Sequence, residues 1–199
     1  DLRALLAPGK RVRVGDIHFR GSLGTERSVL KRQLRIQSGD LLDTSDVRAG
    51  RNRLWRLGIF DQVTVDYTKT REDQWDINYK LEPLGKHRMR AILGIGTFDI
   101  IRVGAEYLRR NLWGRAHSLE VRGIQSFRTS QLESAYTLPQ LFGENIAGFA
   151  ESSFLRREEI SFDRYEFESS FGIETRLRPI DTSLNLRYNY AFLQTGNLT

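Results

Sequence analysis

The chain contains no cysteine among its 199 residues. That excludes a disulfide scaffold and a thiolate metal site, and it leaves the compartment open. No apolar run approaches the roughly 20 residues that a membrane helix needs. The same absence says nothing against a membrane barrel, whose signal is alternation over about ten residues per strand. The three histidines, His18, His87 and His117, form no metal-binding spacing such as H-E-x-x-H. There is no phosphate-binding Walker loop. The Gly94-Ile95-Gly96 triplet lies within a strand pattern rather than a strand-to-helix turn, so it does not signal dinucleotide binding. No G-x-S-x-G nucleophile motif occurs, and the carboxylate pair Glu158-Glu159 falls in a predicted exposed loop. The expectation is a protein without catalytic residues, metal or cofactor. The chain starts at Asp1 without Met or a signal-like stretch, which reads as a processed or truncated product.

What is present is a basic excess of +6, unevenly placed. Residues 1–86 hold 17 Lys+Arg and 12 Asp+Glu, while residues 87–199 hold 14 and 13. The excess of the first half suits nucleic acid, anionic lipid, an acidic partner or plain solvation. Its arginines and lysines (Lys31, Arg32, Arg35, Arg48, Arg51, Arg56) lack the interleaved aromatics that stack on bases. Lipid headgroups or a protein partner fit better than nucleic acid, and a solvated face fits best.

Residues 1–10 read as a tether ending in Pro8-Gly9. The run RVRVGDIHFRG alternates through Val12, Val14, Ile17 and Phe19 with a bulge at Gly15, which predicts a strand. A first helix is predicted with Thr25 as N-cap, Val29, Leu30 and Leu34 as its apolar stripe, and Gly39 beyond its end. A second is capped by Thr44 or Ser45, carries Val47, Leu54 and Leu57, and stops at Gly58. Gly50 inside it suggests close helix packing. Two strands follow, with Val63, Val65 and Tyr67 on one face of the first and Trp75, Ile77, Tyr79 and Leu81 on one face of the second. The stretch TKTRED is the predicted turn between them. The order is strand, helix, helix, strand, strand: a small α+β domain over 11–84.

VGDIHFRG, VLKRQLRIQSGD, RNRLWRLGIFDQVTVDY and INYKLEP together resemble a polypeptide-transport-associated (POTRA) domain, over residues 11–83. The most distinctive piece is RLWRLGIFDQVTV, Arg53 to Val65. Gly58 permits a left-handed exit from the helix, and Phe60 enters the core as the strand begins.

From residue 87 onward helical spacing vanishes and period two takes over. In DRYEFESSFGIETRL, Tyr165, Phe167, Ser169, Phe171, Ile173, Thr175 and Leu177 share one face, and Glu166, Glu168, Ser170, Gly172, Glu174 and Arg176 the other. SLNLRYNYAF repeats the pattern with Leu184, Leu186, Tyr188, Tyr190 and Phe192. Weaker copies occur around Met89–Ile95, Val103–Tyr107, Leu119–Val121, Leu132–Leu138 and 145–156. Seven strands are predicted as an antiparallel up-and-down meander, because no gap accommodates a crossover helix. Loops containing Trp113, Pro139 and Pro179 all fall at one end. Alternation alone leaves two readings open: a soluble β-domain, or a barrel whose apolar face meets lipid. Strand length, aromatics near strand ends and charges sharing one face favour the barrel.

A POTRA-like domain leading through PLGKHRMR into such a meander resembles the BamA/TamA superfamily of outer-membrane assembly factors. GAEYLRRNLWGRAHSLEV is similar to that family's second barrel strand, first periplasmic turn and third strand. Its Asn-Leu-Trp-Gly-Arg-Ala-His-Ser order, Asn111 to Ser118, lies closest to the TamA-like branch. Val121-Arg122-Gly123 matches a family loop motif in composition but falls inside a strand, so no role is carried over to it. The resemblance implies that residues 85–199 form the first seven strands of a sixteen-stranded transmembrane barrel, incomplete here, with the POTRA domain in the periplasm.

It further implies a client- or partner-binding edge at Gln62, Val63, Thr64, Val65, Asp66 and Tyr67. A lateral seam would offer Ile92, Leu93, Gly94, Ile95 and Gly96, and an interfacial turn would hold Arg109, Arg110, Asn111, Trp113 and Gly114. Expected partners are unfolded outer-membrane protein clients, a periplasmic or inner-membrane assembly partner, and the lipid bilayer, with no nucleic acid. The alternatives are a two-partner secretion transporter and a soluble POTRA plus β-domain adaptor.

Overall fold

The computed structural model describes residues 11–22, 24–97, 100–142, 146–177 and 182–197. It divides into two compact units, Asp1–Leu84 and Gly85–Thr199.

The first unit contains β1 (Arg13–Arg20), α1 (Arg27–Lys31), α2 (Thr44–Trp55), β2 (Phe60–Arg71) and β3 (Gln74–Pro83). Its sheet has the order β1-β3-β2, with β1 parallel to β3 and β2 antiparallel to it. The core lies between sheet and helices. Val14, Val29, Leu30, Val47, Leu54, Ile77 and Tyr79 are buried there, together with Phe60. The bulge predicted at Gly15 appears as a register shift between Val14 and Ile17. The Asp76 carboxylate accepts from the Asp16 N–H freed there, at 2.9 Å. That bond is the main reason the Asp76 carboxyl sits below its ordinary pKa. At Gly50 an added Cβ would come within 2.7 Å of Leu34 Cδ2 and 3.1 Å of the Tyr79 hydroxyl. The close packing is therefore real, and the glycine is what permits it.

Three local expectations are corrected. The predicted first helix is a single short segment, and its N-cap is Glu26 without a side-chain bond, not Thr25. Beyond Lys31 the chain turns through Gln33 and Leu34, whose N–H groups bond to the carbonyls of Leu30 and Lys31, and this buries Ile36. α2 is capped by Asp43, which accepts from the Ser45 N–H at 2.7 Å, not by Thr44 or Ser45. The β2–β3 turn is only Glu72–Asp73, because Thr68 to Arg71 continue the ladder opposite Gln74 to Asp76. Threonine suits such an exposed strand.

The second unit is one seven-stranded sheet: β4 (His87–Gly96), β5 (Ile100–Leu112), β6 (His117–Ser126), β7 (Thr129–Leu138), β8 (Ile146–Glu158), β9 (Phe162–Leu177) and β10 (Thr182–Asn197). The order runs from β10 to β4 with every neighbour antiparallel. The turns are shorter than predicted, since β5 runs through Leu112 and β8 through Glu158. The β6–β7 connection is only Phe127-Arg128.

The register sorts the side chains into two faces. One carries Met89, Leu93, Ile95, Val103, Leu132, Phe154, Phe167, Phe171, Leu186, Tyr188 and Phe192, all exposed. The other carries Glu106, Glu120, Arg122, Glu133, Glu151, Glu168 and Arg187. The fold is thus a POTRA-type α+β unit followed by an antiparallel up-and-down meander with one apolar and one charged face.

Candidate functional site

The POTRA-type unit presents β2 as a sheet edge. Gln62 to Tyr67 pair with Glu82 to Ile77 of β3 on one side, and no described strand lies on the other. The position follows from chain order: β1 takes the far side of β3, which leaves β2 outermost. Along this strand Val63 is buried, Thr64 and Val65 are half-buried, and Gln62, Asp66 and Tyr67 are exposed. Asp66 forms an ion pair with Lys80 of β3. Such an edge is a template for another extended chain. Helix α2 packs against β2, and Tyr67 meets Trp75 with ring centroids 6.4 Å apart.

In the large sheet β4 is one of the two outer strands, paired among the described residues only with β5. The run Ile92 to Gly96 lies opposite Gly104 to Ile100. Leu93 and Ile95 point to the apolar face and are exposed; Ile92 and Gly94 belong to the charged face. Among the described residues nothing packs within 4 Å of where a Cβ would stand on Gly96, and at Gly94 only Arg102 Cβ does, at 3.8 Å. These glycines therefore answer to no crowding. They leave the strand end thinly packed.

The β5–β6 turn occupies Trp113 to Ala116. Asn111, Trp113 and Ala116 have positive φ of 54°, 54° and 63°, as does Gly114 at 73°. Three non-glycine residues there mark a costly turn that its surroundings must hold. The Asn111 side-chain oxygen accepts from the Ala116 N–H at 3.0 Å and clamps it. Trp113 is 70% exposed and meets His117 edge-on at 6.2 Å. Nδ1 of His117 lies 2.7 Å from the Tyr136 hydroxyl. A second such pair, His87 Nδ1 and the Tyr107 hydroxyl at 2.7 Å, stands at the same end, where the chain enters β4.

Arg109 is exposed, whereas Arg110 is half-buried. Its guanidinium donates to the Gly85 carbonyl at 3.1 Å, and its N–H to Lys86. The antiparallel order places Trp113 at the same end as Pro139, while Pro179 lies outside the described residues.

The charged face was not singled out as a site by sequence reasoning. It holds a groove of about 510 Å³ lined by Glu120, Arg122, Glu133, Glu151, Glu168 and Arg187, among others. Arg187 reaches Glu151 at 3.1 Å and lies over the Phe149 ring at 4.5 Å. Arg122, inside the third sheet strand as expected, reaches Glu133 at 3.6 Å. Glu106 is buried beneath Arg88 and Arg90, at 3.3 and 3.5 Å. These pairs cross strands, so a single strand's pattern does not reveal them. Among the described residues no cluster of His, Cys, Asp and Glu is arranged to hold a metal ion.

Comparison with known proteins adds to this geometry. The family described as "POTRA: Surface antigen variable number repeat" matches residues 12–83. The outer membrane protein assembly factor BamA of Nitratidesulfovibrio vulgaris is 23% identical over 159 residues, covering 79% of this chain and 20% of the relative. The BamA of Neorickettsia risticii is 25% identical over 199 residues, covering 96% and 26%. The chain therefore spans about a quarter or less of these curated relatives.

Among solved structures, BamA from Haemophilus ducreyi lacking POTRA domains 1–3 superposes with TM-score 0.70 at 24% identity, covering 94% of this chain and 37% of that one. CdiB from Escherichia coli gives TM-score 0.69 at 15% identity, covering 93% and 38%. The resemblance to the BamA superfamily holds in sequence and in fold. It places the meander in the outer membrane and the POTRA unit in the periplasm.

Proposed function

We propose that this chain, a POTRA unit followed by barrel strands of the BamA superfamily kind, works in an outer-membrane assembly factor that receives unfolded barrel or autotransporter-like clients. The observation that carries this reading is that each unit presents an open strand edge, at β2 and at β4. β2 in the periplasmic unit and β4 in the membrane sheet each lack a described neighbour on one side. Strand addition at Gln62–Tyr67 would hold a client or an assembly partner through main-chain hydrogen bonds. β4, with Ile92 to Gly96 as its thinly packed end, would then serve as template at the barrel seam. No step in this scheme needs a catalytic residue or cofactor. The turn order Asn111 to Ser118 supports placement in the TamA-like branch. The test is deletion of the full-length gene followed by quantification of outer-membrane barrel proteins. Reduced assembly of a client set is expected; normal assembly of every barrel overturns the reading.

A secretion transporter is the second reading. The charged groove favours it, because a polar lumen is what a translocating chain would traverse. Secretion of one large partner, lost on deletion while barrel assembly stays intact, would decide for it.

A further inference from the structure

The free edge of β2 is flanked on one side by positive charge. Arg48, Arg51 and Trp55 recur along α2 at helical spacing, so they share one face of that helix, and all three are exposed. α2 packs on β2, and Arg48 and Arg51 flank its buried stripe of Val47, Gly50 and Leu54, on the side from which their charges act on the Tyr67 hydroxyl. Partial burial lifts the Tyr67 hydroxyl above its ordinary pKa, and the charges of Arg48 and Arg51 pull against that shift. Neither arginine has an ion pair among the described residues. Arg51 donates only to the neighbouring Asn52 side chain, at 3.1 and 3.3 Å. Lys69 continues the row on β2, two positions beyond Tyr67. The single carboxylate within Gln62–Tyr67, Asp66, lies on the opposite face and is matched by Lys80. A strand added to β2 would therefore run with one of its faces beside Arg48, Arg51, Tyr67 and Lys69.

We infer that the β2 edge selects acidic extended segments, with carboxylates alternating so that they fall beside Arg48 and Arg51. The proposal rests on the strand-addition reading above and adds the chemical class of the segment taken. Period two governs the selection. In an added strand every second side chain faces the helix side, so a segment alternating apolar and acidic residues places its carboxylates in one row along the arginines. A basic segment in the same register would oppose them. Charges at an exposed rim set partner choice and encounter rate more than total affinity, and salt screens them over about 8–10 Å.

The test uses the full-length protein in detergent with T64C as a capture point, since these 199 residues contain no native cysteine. Eight-residue peptides alternating Val with Glu, Gln or Lys, each ending in Cys, are compared for disulfide capture. The Val-Glu peptide is expected to be captured about tenfold more efficiently than the Val-Lys peptide at low salt, shrinking to a few-fold at high salt. R48E/R51E is expected to reverse that order. R48Q/R51Q, which removes charge without inverting it, is expected to level it. Equal capture of all three peptides overturns the acidic preference and leaves strand addition standing. A Val-Glu peptide N-methylated at alternate backbone nitrogens separates the two ideas. If it is captured as well as the unmethylated peptide, strand addition fails, and the inference fails with it.

Discussion

Ile77 and Ile95 each lie on the apolar face of an alternating strand, yet Ile77 is 0% exposed and Ile95 is 91% exposed. The difference belongs to their surroundings. In the POTRA unit the alternating apolar row of β3 meets α1 and α2 and closes a core. In the seven-strand sheet no helix among the described residues covers the corresponding row, and large apolar side chains from Met89 to Phe192 are exposed. The same sequence periodicity thus serves two solvents. In the first unit the hydrophobic effect drives burial against protein. In the second, lipid supplies the apolar phase and the charged face turns the other way. The comparison can be broken at either end by substitutions whose costs follow from the assigned environment.

The largest effect is expected in the POTRA core. Leu54 is 0% exposed on α2, and Leu54→Ala should cost about 2–5 kcal/mol through lost transfer energy and the cavity left behind. Hydrogen exchange on the whole protein reads the units separately. Protection should fall across β1, β2, β3 and α2 and stay unchanged in β4–β10. Uniform loss in both units would mean that they do not unfold independently.

The counterpart in the sheet is Phe171→Arg. Phe171 is 57% exposed, and in a water-facing sheet that substitution would be nearly neutral. Facing lipid near the midplane, it should cost about 2–4 kcal/mol. Urea titration of folding into phospholipid vesicles measures it, with Glu168→Gln on the charged face as the smaller reference. A neutral result for Phe171→Arg would overturn the assignment of the lipid face.

How much of this was legible in the sequence differs between the two units. In the first, element order, the Gly58 exit with φ of 70° and the entry of Phe60 into the core could all be read from local pattern. The caps could not. Asp43, Thr44 and Ser45 are consecutive residues of similar capping preference, and only the backbone chooses among them. The length of α1 was misread because burial of Ile36 overrides a helical periodicity that runs on past Lys31. In the second unit the strands and their faces were legible, since a period of two is a one-dimensional signal. Cross-strand contacts were not. Arg187 and Glu151 stand 36 residues apart, and nothing in either strand announces the other. The edge at β2 followed from chain order and strand count, whereas the arginine row beside it required knowing which helix face lies against Tyr67.

Glycine offers a finer comparison. At Gly172 an added Cβ would meet the Leu186 carbonyl oxygen at 2.3 Å and the Phe149 ring at 2.7 Å. Gly172→Ala should cost about 1–3 kcal/mol through overpacking. Phe149→Leu in the same chain should recover part of that loss, because the ring is one of the two obstacles. At Gly58 nothing stands within 4 Å of the added atom, and the obstacle is the backbone, at φ of 70°. Gly58→Ala should cost about 1–2 kcal/mol, and no neighbouring substitution should relieve it. Double-mutant cycles on folding stability distinguish the two causes: coupling at Gly172, none at Gly58.

The smallest effect concerns charge. In both units carboxylates pair with basic residues across strands, as Glu151 does with Arg187 and Asp66 with Lys80; in the POTRA unit Asp43 in addition holds a helix terminus. Its carboxyl is lowered below the ordinary value, first by the Ser45 side chain and then by the Ser45 N–H. Asn at this position keeps the cap geometry, so Asp43→Asn removes mainly the titration. A lowered folded pKa means the unfolded chain takes up its proton first as pH falls. The contribution of Asp43 is therefore fully present above the unfolded carboxylate pKa, and it is lost as pH falls through the folded one. Wild type should be slightly more stable than Asp43→Asn at neutral pH, and the two should converge in acid, read by denaturant titration of hydrogen exchange in α2. A stability gap that persists unchanged in acid would show that Asp43 acts through shape alone, and that charge does not distinguish how this helix terminus is held.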